Sequence, residues 1–304
     1  MGAHDLAGYW GPPTASIDWC EDNYVWSYYI AEFFNSFSSF AMILLGEAAC
    51  YSISRLESSM VRRARSSTSS HTSTKAASTP SLFRFKLAFR TITVVGIGSF
   101  LFHATLLHKM QMLDELPMLY SVLVLFFCLI ESRYGRQPSW FPVLLAVHGV
   151  IVTCLVAFTE GNMQFYSFHV SFGSLEFTTL YLVYKVYRAR KQEYPDVKKA
   201  FEVGIGLYIL AVAVWSTDLN FCEKLLLSWL PNQVQSVFST VWIVKNLYLH
   251  AWWHTFVSMG LYLLSTVIML DGLIVQGWKP KIEMKVRGWL PVVTVIGTID
   301  KKTD

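Results

Sequence analysis

Seven apolar stretches constrain the fold of this chain more than any other feature of its sequence. A helix that crosses the hydrocarbon core of a bilayer needs about 20 consecutive, largely apolar residues. Candidate stretches lie at 31–51, 86–107, 113–130, 141–158, 165–187, 203–219 and 248–275. With 53% hydrophobic and only 15% charged residues, the 304-residue chain is too apolar for a water-soluble globular domain. We therefore predict an all-α integral membrane protein built as a bundle of seven transmembrane helices.

The distribution of positive charge predicts the orientation of this bundle. Lys and Arg residues concentrate in the loops that stay in the cytosol. Most of the 25 Lys and Arg residues fall in gaps on one side of the spans, and Arg90 lies inside the second span. The other side receives only Lys109, Lys224 and Lys245. We therefore expect a lumenal N-terminus and a cytosolic C-terminus.

The segments between and beyond the spans predict how the chain is organised. Residues 1–30 form a lumenal N-terminal segment, and residues 31–275 form the transmembrane domain. Within that domain, residues 60–82 include a Ser/Thr-rich tract of low complexity, which predicts a disordered cytosolic loop. Residues 220–247 contain a proline and several apolar residues, which suggest a re-entrant or interfacial segment. Residues 276–304 form a cytosolic tail.

The net charge of +4 does not indicate a nucleic-acid partner. A nucleic-acid surface would interleave a stripe of Lys and Arg with exposed aromatic residues, and the sequence has no such stripe. The cations instead lie in short runs between apolar stretches, where they act as topology signals. No feature of the sequence calls for an obligate protein partner.

Titratable and polar side chains converge at the predicted lumenal ends of the spans. A titratable group inside a membrane segment costs about 2.5 to 3.5 kcal/mol on insertion scales, so it indicates a function. Ser99 and His103 are four residues apart and share a helix face, as do His250 and His254. Asp114 opens the third span at the same side. Three neutral imidazoles with a fourth open position are typical of catalytic zinc, and we hypothesise such a site here.

Each of these residues also has a purely structural interpretation. The paired histidines are compatible with interfacial side chains beside an aromatic belt. Asp114 suits a helix N-terminus, where a negative charge is stabilised by the helix dipole. Ser99 suits a close contact between helices. In a metal site, by contrast, Asp114 would accept a proton from the attacking water, and Ser99 would donate to a developing oxyanion.

The remaining titratable residues of the spans have less specific patterns. His148 and His169 lie in the fourth and fifth spans without a histidine partner at helical spacing, so we predict packed interior histidines. Glu176 lies in the fifth span, where we expect a buried hydrogen bond. Cysteine residues within spans, which behave as small hydrophobic residues, are expected to be buried; they are Cys50, Cys128 and Cys154.

The N-terminal segment is rich in side-chain oxygen atoms. Asp18, Glu21, Asp22 and Asn23 fall within D-W-C-E-D-N-Y, and Glu32 follows at the start of the first span. Calcium prefers six to eight oxygen ligands. The segment lacks the EF-hand pattern, however, and the residues by themselves favour a solvated acidic segment.

Two further cysteines, Cys20 and Cys222, lie in segments predicted to be lumenal. An oxidising compartment would permit a disulfide bond between them.

Five segments together carry a resemblance to a known family. They are G-Y-W-G-P-P-T-A-S-I-D-W-C-E-D-N-Y at 8–24, Y-I-A-E at 29–32, G-S-F-L-F-H at 98–103, L-D-E-L-P-M at 113–118 and H-A-W-W-H at 250–254. In order and spacing, these segments resemble the alkaline ceramidases. That family lies within a superfamily that includes the adiponectin/progestin receptors and GPI-remodelling membrane hydrolases.

The resemblance implies an intramembrane zinc amidase. Such an enzyme cleaves the N-acyl bond of ceramide, dihydroceramide or phytoceramide and releases a sphingoid base and a free fatty acid. The zinc ligands of the family map onto His103, His250 and His254, its oxyanion-stabilising serine onto Ser99, and its proton-accepting aspartate onto Asp114. The implied location is the endoplasmic reticulum or Golgi membrane, and the implied partner is the lipid substrate.

The resemblance also changes the interpretation of the N-terminal segment, from a solvated segment to a structural or regulatory calcium site. The implied ligands are Asp18, the carbonyl of Trp19, Glu21, Asn23 and Glu32. The implied lumenal disulfide joins Cys20 to Cys222.

Two other functions remain open at this point. A seven-helix lipid receptor or scaffold would bind a structural zinc without turnover, and it would tolerate the loss of Ser99 and Asp114. Another hydrolase of the same superfamily would act on an ester or on a GPI lipid.

Overall fold

The computed structural model describes residues 8–68, 82–221, 247–285 and 290–298. These residues form helices followed by one antiparallel pair of strands. The helices are α1 (Phe33–Ser38), α2 (Phe40–Thr68), α3 (Phe83–Thr105), α4 (His108–Tyr134), α5 (Trp140–Phe158), α6 (Gly161–Arg190), α7 (Pro195–Phe221) and α8 (Leu249–Val275). The strands are β1 (Trp278–Lys285) and β2 (Leu290–Thr298).

Six helical segments among the described residues are long and apolar enough to cross a membrane. They are Phe33–Arg62, Phe83–Thr105, His108–Tyr134, Trp140–Phe158, Pro195–Asn220 and Leu249–Val275. The protein is therefore a helical, multi-pass membrane protein, as predicted. The predicted fifth span, at 165–187, corresponds to α6, which has 30 residues but is not among the six. Polar and charged residues recur along this helix and lower its hydropathy, so the count of seven crossings stays a prediction.

Helix α8 occupies the centre of the bundle. It packs along α7 and also contacts α1, α2, α4 and α6, which makes it the most buried of the six apolar segments. Helix α3 lies between α2 and α4. Fully buried side chains such as Phe89, Leu129 and Ile268 fill the space between these helices. This arrangement fixes α3, α4 and α8, which carry most of the candidate site.

A tight turn joins α3 to α4, and the N-terminal segment folds over it. Leu106 adopts a left-handed conformation with φ of 51°, which reverses the chain within two residues. Its carbonyl accepts the backbone N–H groups of Thr14 and Ala15, each at 3.0 Å. The backbone N–H of Glu32 donates to the carbonyl of His103 at 2.9 Å. The segment before α1 is thus held against the end of α3.

The segments outside the spans differ from the predictions in three places. The predicted disordered loop at 60–82 begins too early, because α2 continues to Thr68. Extending an existing helix gains a hydrogen bond for each residue added, and this stretch begins with good helix formers. Residues 69–81 lie outside the described residues. Most of the predicted re-entrant segment also lies outside them, at 222–246, and its first residues continue α7.

The predicted C-terminal tail contains a β-hairpin, which the all-α prediction missed. Strands β1 and β2 pair antiparallel, with a register irregularity between Lys279 and Pro280. The hairpin packs on α8 and α2, and Trp278 at its start is buried. The N–H of Ile282 donates to the Asp196 carboxylate at 2.8 Å. The hairpin is therefore part of the folded structure at the end of the bundle.

The predictions for the cysteines and histidines within the spans hold in part. Cys50 and Cys128 are buried as predicted, whereas Cys154 is exposed on α5. That prediction was wrong because α5 presents much of its surface outward, with few buried residues. His148 and His169 are half-buried. His148 bonds to the Ser171 hydroxyl at 2.9 Å, and the Nδ1 of His169 donates to the Phe165 carbonyl at 2.8 Å.

Candidate metal centre

Three buried histidines converge at the end of the bundle that the N-terminal segment covers. His103 lies in the last turn of α3, and His250 and His254 lie in the first turns of α8. Their ring centroids are 4.7 to 5.0 Å apart. Each histidine offers a ring nitrogen within 4.8 Å of the other two. No other group of three His, Cys, Asp or Glu residues in the described chain converges in this way.

Hydrogen bonds determine which nitrogen of His254 is free. The hydroxyl of Ser38 donates to the carbonyl of Asn35 at 2.9 Å, so its single proton is already used. The same hydroxyl lies 2.7 Å from Nδ1 of His254 and must accept a proton from it. The protonated nitrogen of His254 is therefore Nδ1. Its Nε2 keeps a lone pair that faces the other histidines, as a metal ligand requires.

His103 is oriented in the same way by Glu32. Nδ1 of His103 lies 2.5 Å from Oε2 of Glu32, and both side chains are fully buried. The two carboxyl oxygens of Glu32 also accept the N–H of Trp19 at 3.1 Å and the amide of Asn35 at 3.0 Å. When Glu32 is ionised, its carboxylate only accepts hydrogen bonds, which leaves the proton on His103 Nδ1. The Nε2 of His103 then carries the lone pair.

Two of the histidine nitrogens are buried without a hydrogen-bond partner in the described part of the chain. They are Nε2 of His103 and Nδ1 of His250. Buried polar atoms are almost always paired, so an unpaired one needs an explanation. Trp19 stacks on the His250 ring with centroids 3.7 Å apart, which fixes its plane. Together with His254, these histidines offer three converging ring nitrogens that fit a metal ion such as zinc.

Ser99 and Asp114 lie beside the histidines. The hydroxyl of Ser99 is 3.3 Å from Nε2 of His254 and accepts a hydrogen bond from Ser39 at 3.1 Å. It donates its own proton to the carboxyl group of Asp114. A Cβ atom at Gly98 would collide with the backbone carbonyl of Leu113, so α3 and α4 meet here without a side chain between them. This close approach places Asp114 next to Ser99.

A buried amide and carboxyl network lies next to Asp114 and was missed in the sequence. Glu115 accepts the side-chain amides of Gln111 at 2.7 Å and of Gln164 at 2.6 Å. Gln111 in turn accepts the backbone N–H of Ser16 at 2.9 Å. The spacing of Gln111 and Glu115 places them on one face of α4, which is a signal that could have been noticed. Gln164 and Ser16 could not be assigned to this network from spacing, because they come from α6 and the N-terminal segment.

A largely apolar cavity extends from the histidines into the bundle. Ser99, Asp114, His250 and His254 line its outer end. The rest is lined mainly by aliphatic and aromatic side chains, most of them from α3, α4, α6 and α8, with others from the N-terminal segment, α2 and α7. Binding sites for apolar ligands combine such walls with a few polar groups that orient the ligand. The cavity therefore suits a lipid whose polar group reaches the histidines.

The oxygen-bearing residues of the N-terminal segment lie together beside Glu32. The amide of Asn23 donates to both carboxyl oxygens of Asp18, at 3.2 and 3.3 Å. The carboxyl group of Glu21 accepts the backbone N–H groups of Phe34 and Asn35, at 2.7 and 2.9 Å, at the start of α1. The carbonyl oxygen of the Asn23 side chain is buried without a partner in the described residues. These carboxyl groups converge less closely than the histidine nitrogens.

Burial makes negative charge unfavourable in this cluster. Burial raises the pKa of Glu21 to about 7. Burial, and then the nearby Asp18, raise the pKa of Glu32 well above its usual value. A cation among these groups would offset the cost, and oxygen ligands of this kind suit calcium. The donor set therefore fits the predicted ion.

Cys20 lies at the edge of the same cluster. It is disulfide-bonded, and its backbone N–H lies 3.3 Å from the carboxylate of Asp218, which accepts it. Asp218 is buried near the end of α7 and was missed in the sequence because nothing in its local pattern marks it. The predicted disulfide partner, Cys222, lies outside the described residues, so the Cys20–Cys222 pairing stays a prediction.

Comparison with known proteins agrees with the resemblance that the motifs carry. The family model for ceramidases matches residues 11–294. The chain is 28% identical to alkaline ceramidase 3 of Mus musculus over 297 residues, which cover 96% of each protein. It is 27% identical to an alkaline ceramidase of Arabidopsis thaliana over 293 residues, 96% of this chain and 97% of that one. Human alkaline ceramidase 1 is 24% identical over 283 residues, 91% of this chain and 89% of the relative.

The family match covers nearly the whole chain, including all three histidines, Ser99 and Asp114. The similarity to relatives extends over the length of both proteins rather than over one shared segment. The predicted assignment to a ceramidase-type hydrolase is thereby confirmed. The chain belongs to the ceramidase family.

Proposed function

We propose that this protein hydrolyses the N-acyl amide bond of ceramides in a zinc-dependent reaction, giving a sphingoid base and a free fatty acid. The observation that carries the proposal is the set of three histidine nitrogens beside Ser99 and Asp114 at the head of an apolar cavity. Family membership supports ceramide as the substrate class. The cavity would accommodate a hydrocarbon chain of the ceramide, and the amide group would bind at the histidines.

The residues that would hold zinc are His103, His250 and His254. Buried nitrogens of His103 and His250 have no hydrogen-bond partner among the described residues, and a bound metal ion would satisfy them. When bound, zinc supplies Lewis acidity that polarises a carbonyl group and makes water more acidic.

Asp114 and Ser99 would carry the protons of the reaction. Asp114 accepts the proton of the attacking water, whose oxygen forms the new bond to the amide carbon. The Ser99 hydroxyl, released from Asp114 when that carboxylate becomes protonated, turns to donate to the carbonyl oxygen. Asp114 then transfers its proton to the nitrogen as the carbon–nitrogen bond breaks. The products are the free fatty acid and the amine of the sphingoid base.

The N-terminal cluster would hold a calcium ion through Asp18, the Trp19 carbonyl, Glu21, Asn23 and Glu32. A cation here would lower the pKa of the Glu32 carboxyl group and keep it ionised. Glu32 would then accept the Nδ1 proton of His103 and hold that ring in place. The role of the ion is structural or regulatory.

A disulfide between Cys20 and Cys222 would fasten the same segment to the chain beyond α7. The backbone contact of Cys20 with Asp218 already lies at that end of α7.

We further infer that α6 also crosses the membrane, which brings the number of crossings to seven. Gln164 at its start bonds to Glu115 beside the metal centre, and Arg190 at its end pairs with Asp271 near the end of α8, at 2.8 Å. The helix therefore runs the length of the bundle. With seven crossings, the charge distribution would support a lumenal position for the metal centre, in keeping with the proposed endoplasmic reticulum or Golgi membrane.

Fatty-acid release by purified protein tests this function. We expect the wild type to hydrolyse a ceramide and Asp114→Asn to lose activity at least about 100-fold, because a positioned general base contributes a factor of that order. Zinc content should be equal in both proteins, since Asp114 is not a ligand. Zinc without turnover of any ceramide by the wild type would instead support a lipid receptor or a hydrolase of another lipid.

A further inference from the structure

We propose that Glu176 forms a polar inner end to the cavity and thereby limits the length of the hydrocarbon chain that the protein accepts. This inference deepens the proposed function and rests on it for the class of substrate. The motifs shared with the family do not include Glu176, and the proposed reaction makes no use of it.

Glu176 lies far from the metal centre along the cavity. Gln164, one residue of the Glu115 network, marks the level of the centre on α6. Glu176 lies about 18 Å further along this helix at 1.5 Å per residue. On α4, the cavity extends a similar distance, about 16 Å, from Asp114 to Leu125. The depth of the cavity is therefore similar whether it is measured along α6 or along α4.

The innermost residues that line the cavity differ sharply in polarity. On α3, α4 and α8 they are Ile92, Leu125 and Leu261, and on α6 the innermost is Glu176. Glu176 is only 6% exposed. Among the described residues, Glu176 is therefore the one carboxyl group at the inner end of the cavity, and the residues named on the other three helices at that end are aliphatic.

A neighbouring tyrosine holds the carboxyl group of Glu176. Tyr208 on α7 donates its hydroxyl proton to Glu176, and Tyr208 itself does not line the cavity. One hydrogen bond leaves the carboxyl group with further acceptor positions that a hydrocarbon chain cannot satisfy. A terminal methyl group that reaches this level gains little from contact with a carboxyl group, and a longer chain would have to displace a buried hydrogen bond.

The limit applies to a hydrocarbon chain, which in a ceramide is either the acyl chain or the sphingoid base. Two panels of substrates show which of these two chains occupies the cavity. One panel varies the acyl length on a fixed base, and the other varies the base on a fixed acyl chain. The chain that occupies the cavity is the one whose length dependence responds to changes at position 176.

Three substitutions at this position test the proposal. Glu176→Ala deepens the cavity, and we expect the ratio of kcat/KM for longer over shorter chains to rise roughly tenfold, the scale on which pockets discriminate methylene groups. Glu176→Phe fills the inner end and shifts the preference towards shorter chains. Glu176→Gln retains size and polarity and leaves the preference unchanged. If the Ala variant does not fold, the shift of chain-length preference in the Phe variant still tests the proposal.

Thr179→Val provides a matched control on the same helix. Thr179 is equally buried, donates to the Leu175 carbonyl of its own helix at 2.8 Å, and does not line the cavity. This variant should leave chain-length preference unchanged. A uniform loss of activity in the Ala and Phe variants, with no change in the ratio for either panel, would show that Glu176 only fastens α6 to α7.

A binding measurement distinguishes failure of this inference from failure of the proposed function. Thermal stabilisation of the purified protein by free fatty acids and by sphingoid bases of graded length does not depend on turnover. If Glu176→Ala shifts the length that stabilises best while no ceramide is hydrolysed, the length limit stands and ceramide hydrolysis fails. If the wild type hydrolyses ceramide and no length profile shifts, the limit is wrong.

Discussion

At the scale of single residues, the metal centre depends on side chains that set the proton positions of its histidines. Ser38 donates its proton to Asn35 and therefore accepts the Nδ1 proton of His254, which leaves the lone pair of His254 on Nε2. Glu32 does the same for His103. Partners of this kind hold the ring and its tautomer, and removing one lowers metal affinity by about 10- to 100-fold.

Replacing Ser38 by Ala should therefore weaken metal binding without removing a ligand. We expect Ser38→Ala to retain zinc at least about tenfold less strongly in competition with a chelator, because His254 is then free to adopt the other tautomer. Ceramide hydrolysis should fall in parallel and recover with added zinc. Ser54→Ala is the control, since Ser54 donates only to Cys50 of its own helix. Equal zinc retention in both variants would contradict this role of Ser38.

The sequence indicates the histidines but not the residues that orient them. His250 and His254 are four residues apart on one helix, and Ser99 and His103 repeat that spacing, so local periodicity is enough to group them. The contact between Ser38 and His254 joins α1 to α8. Local spacing carries no information about such a contact, which depends on how the helices pack.

At the scale of elements, the close packing of α3 on α4 brings the proton-transfer groups together. Gly98 faces the backbone of Leu113, so the two helices touch where Ser99 and Asp114 meet. A small residue at a crossing point allows this approach in membrane helices.

Adding one methyl group at this crossing should separate the reacting groups. We expect Gly98→Ala to lower kcat about 100-fold, because a displacement of about 1 Å can have that effect. The obstacle is a backbone carbonyl, which cannot rotate away as a side chain can. Gly173→Ala on α6 is the control, since a Cβ atom there meets nothing within 4 Å. Unchanged kcat in Gly98→Ala, measured with ceramide and purified protein, would show that the crossing tolerates this expansion.

Elements were predictable from the sequence where one periodic pattern dominates. The apolar stretches located α3, α4, α5 and α8 to within a few residues. The hairpin was missed although β1 alternates apolar residues with Lys and Glu, a period-two pattern typical of a strand. Its partner β2 is rich in β-branched residues.

For helix α6, the sequence predicted a membrane span that its hydropathy does not support. The largely apolar stretch at 165–187 predicted a span. Polar residues nevertheless lower the hydropathy of this helix, and several of them contact buried partners within the protein. Gln164 and Glu176 are both buried and hydrogen-bonded. Hydropathy by itself does not distinguish these residues from exposed polar ones.

At the scale of the whole molecule, the two ends of the bundle differ in chemistry. The metal centre and the N-terminal segment lie at one end. Ion pairs between helices lie towards the other, where Arg190 pairs with Asp271 and Arg84 pairs with Glu131. Asp271 lies about 25 Å beyond His254 along α8. This separation is close to the thickness of the hydrocarbon core, so the metal centre and the basic end would lie near opposite membrane faces.

The orientation and the number of crossings can be tested together. Asn-x-Ser/Thr acceptor sites added at either terminus report exposure to the lumen, and the native sequence contains none to interfere. With seven crossings and basic loops in the cytosol, we expect glycosylation of the N-terminal site alone, seen as a mass shift that a glycosidase removes. An even number of crossings would leave both sites glycosylated or both unmodified, and would exclude α6 as a span. Modification of the C-terminal site alone would indicate the opposite orientation, with the metal centre at the cytosolic face.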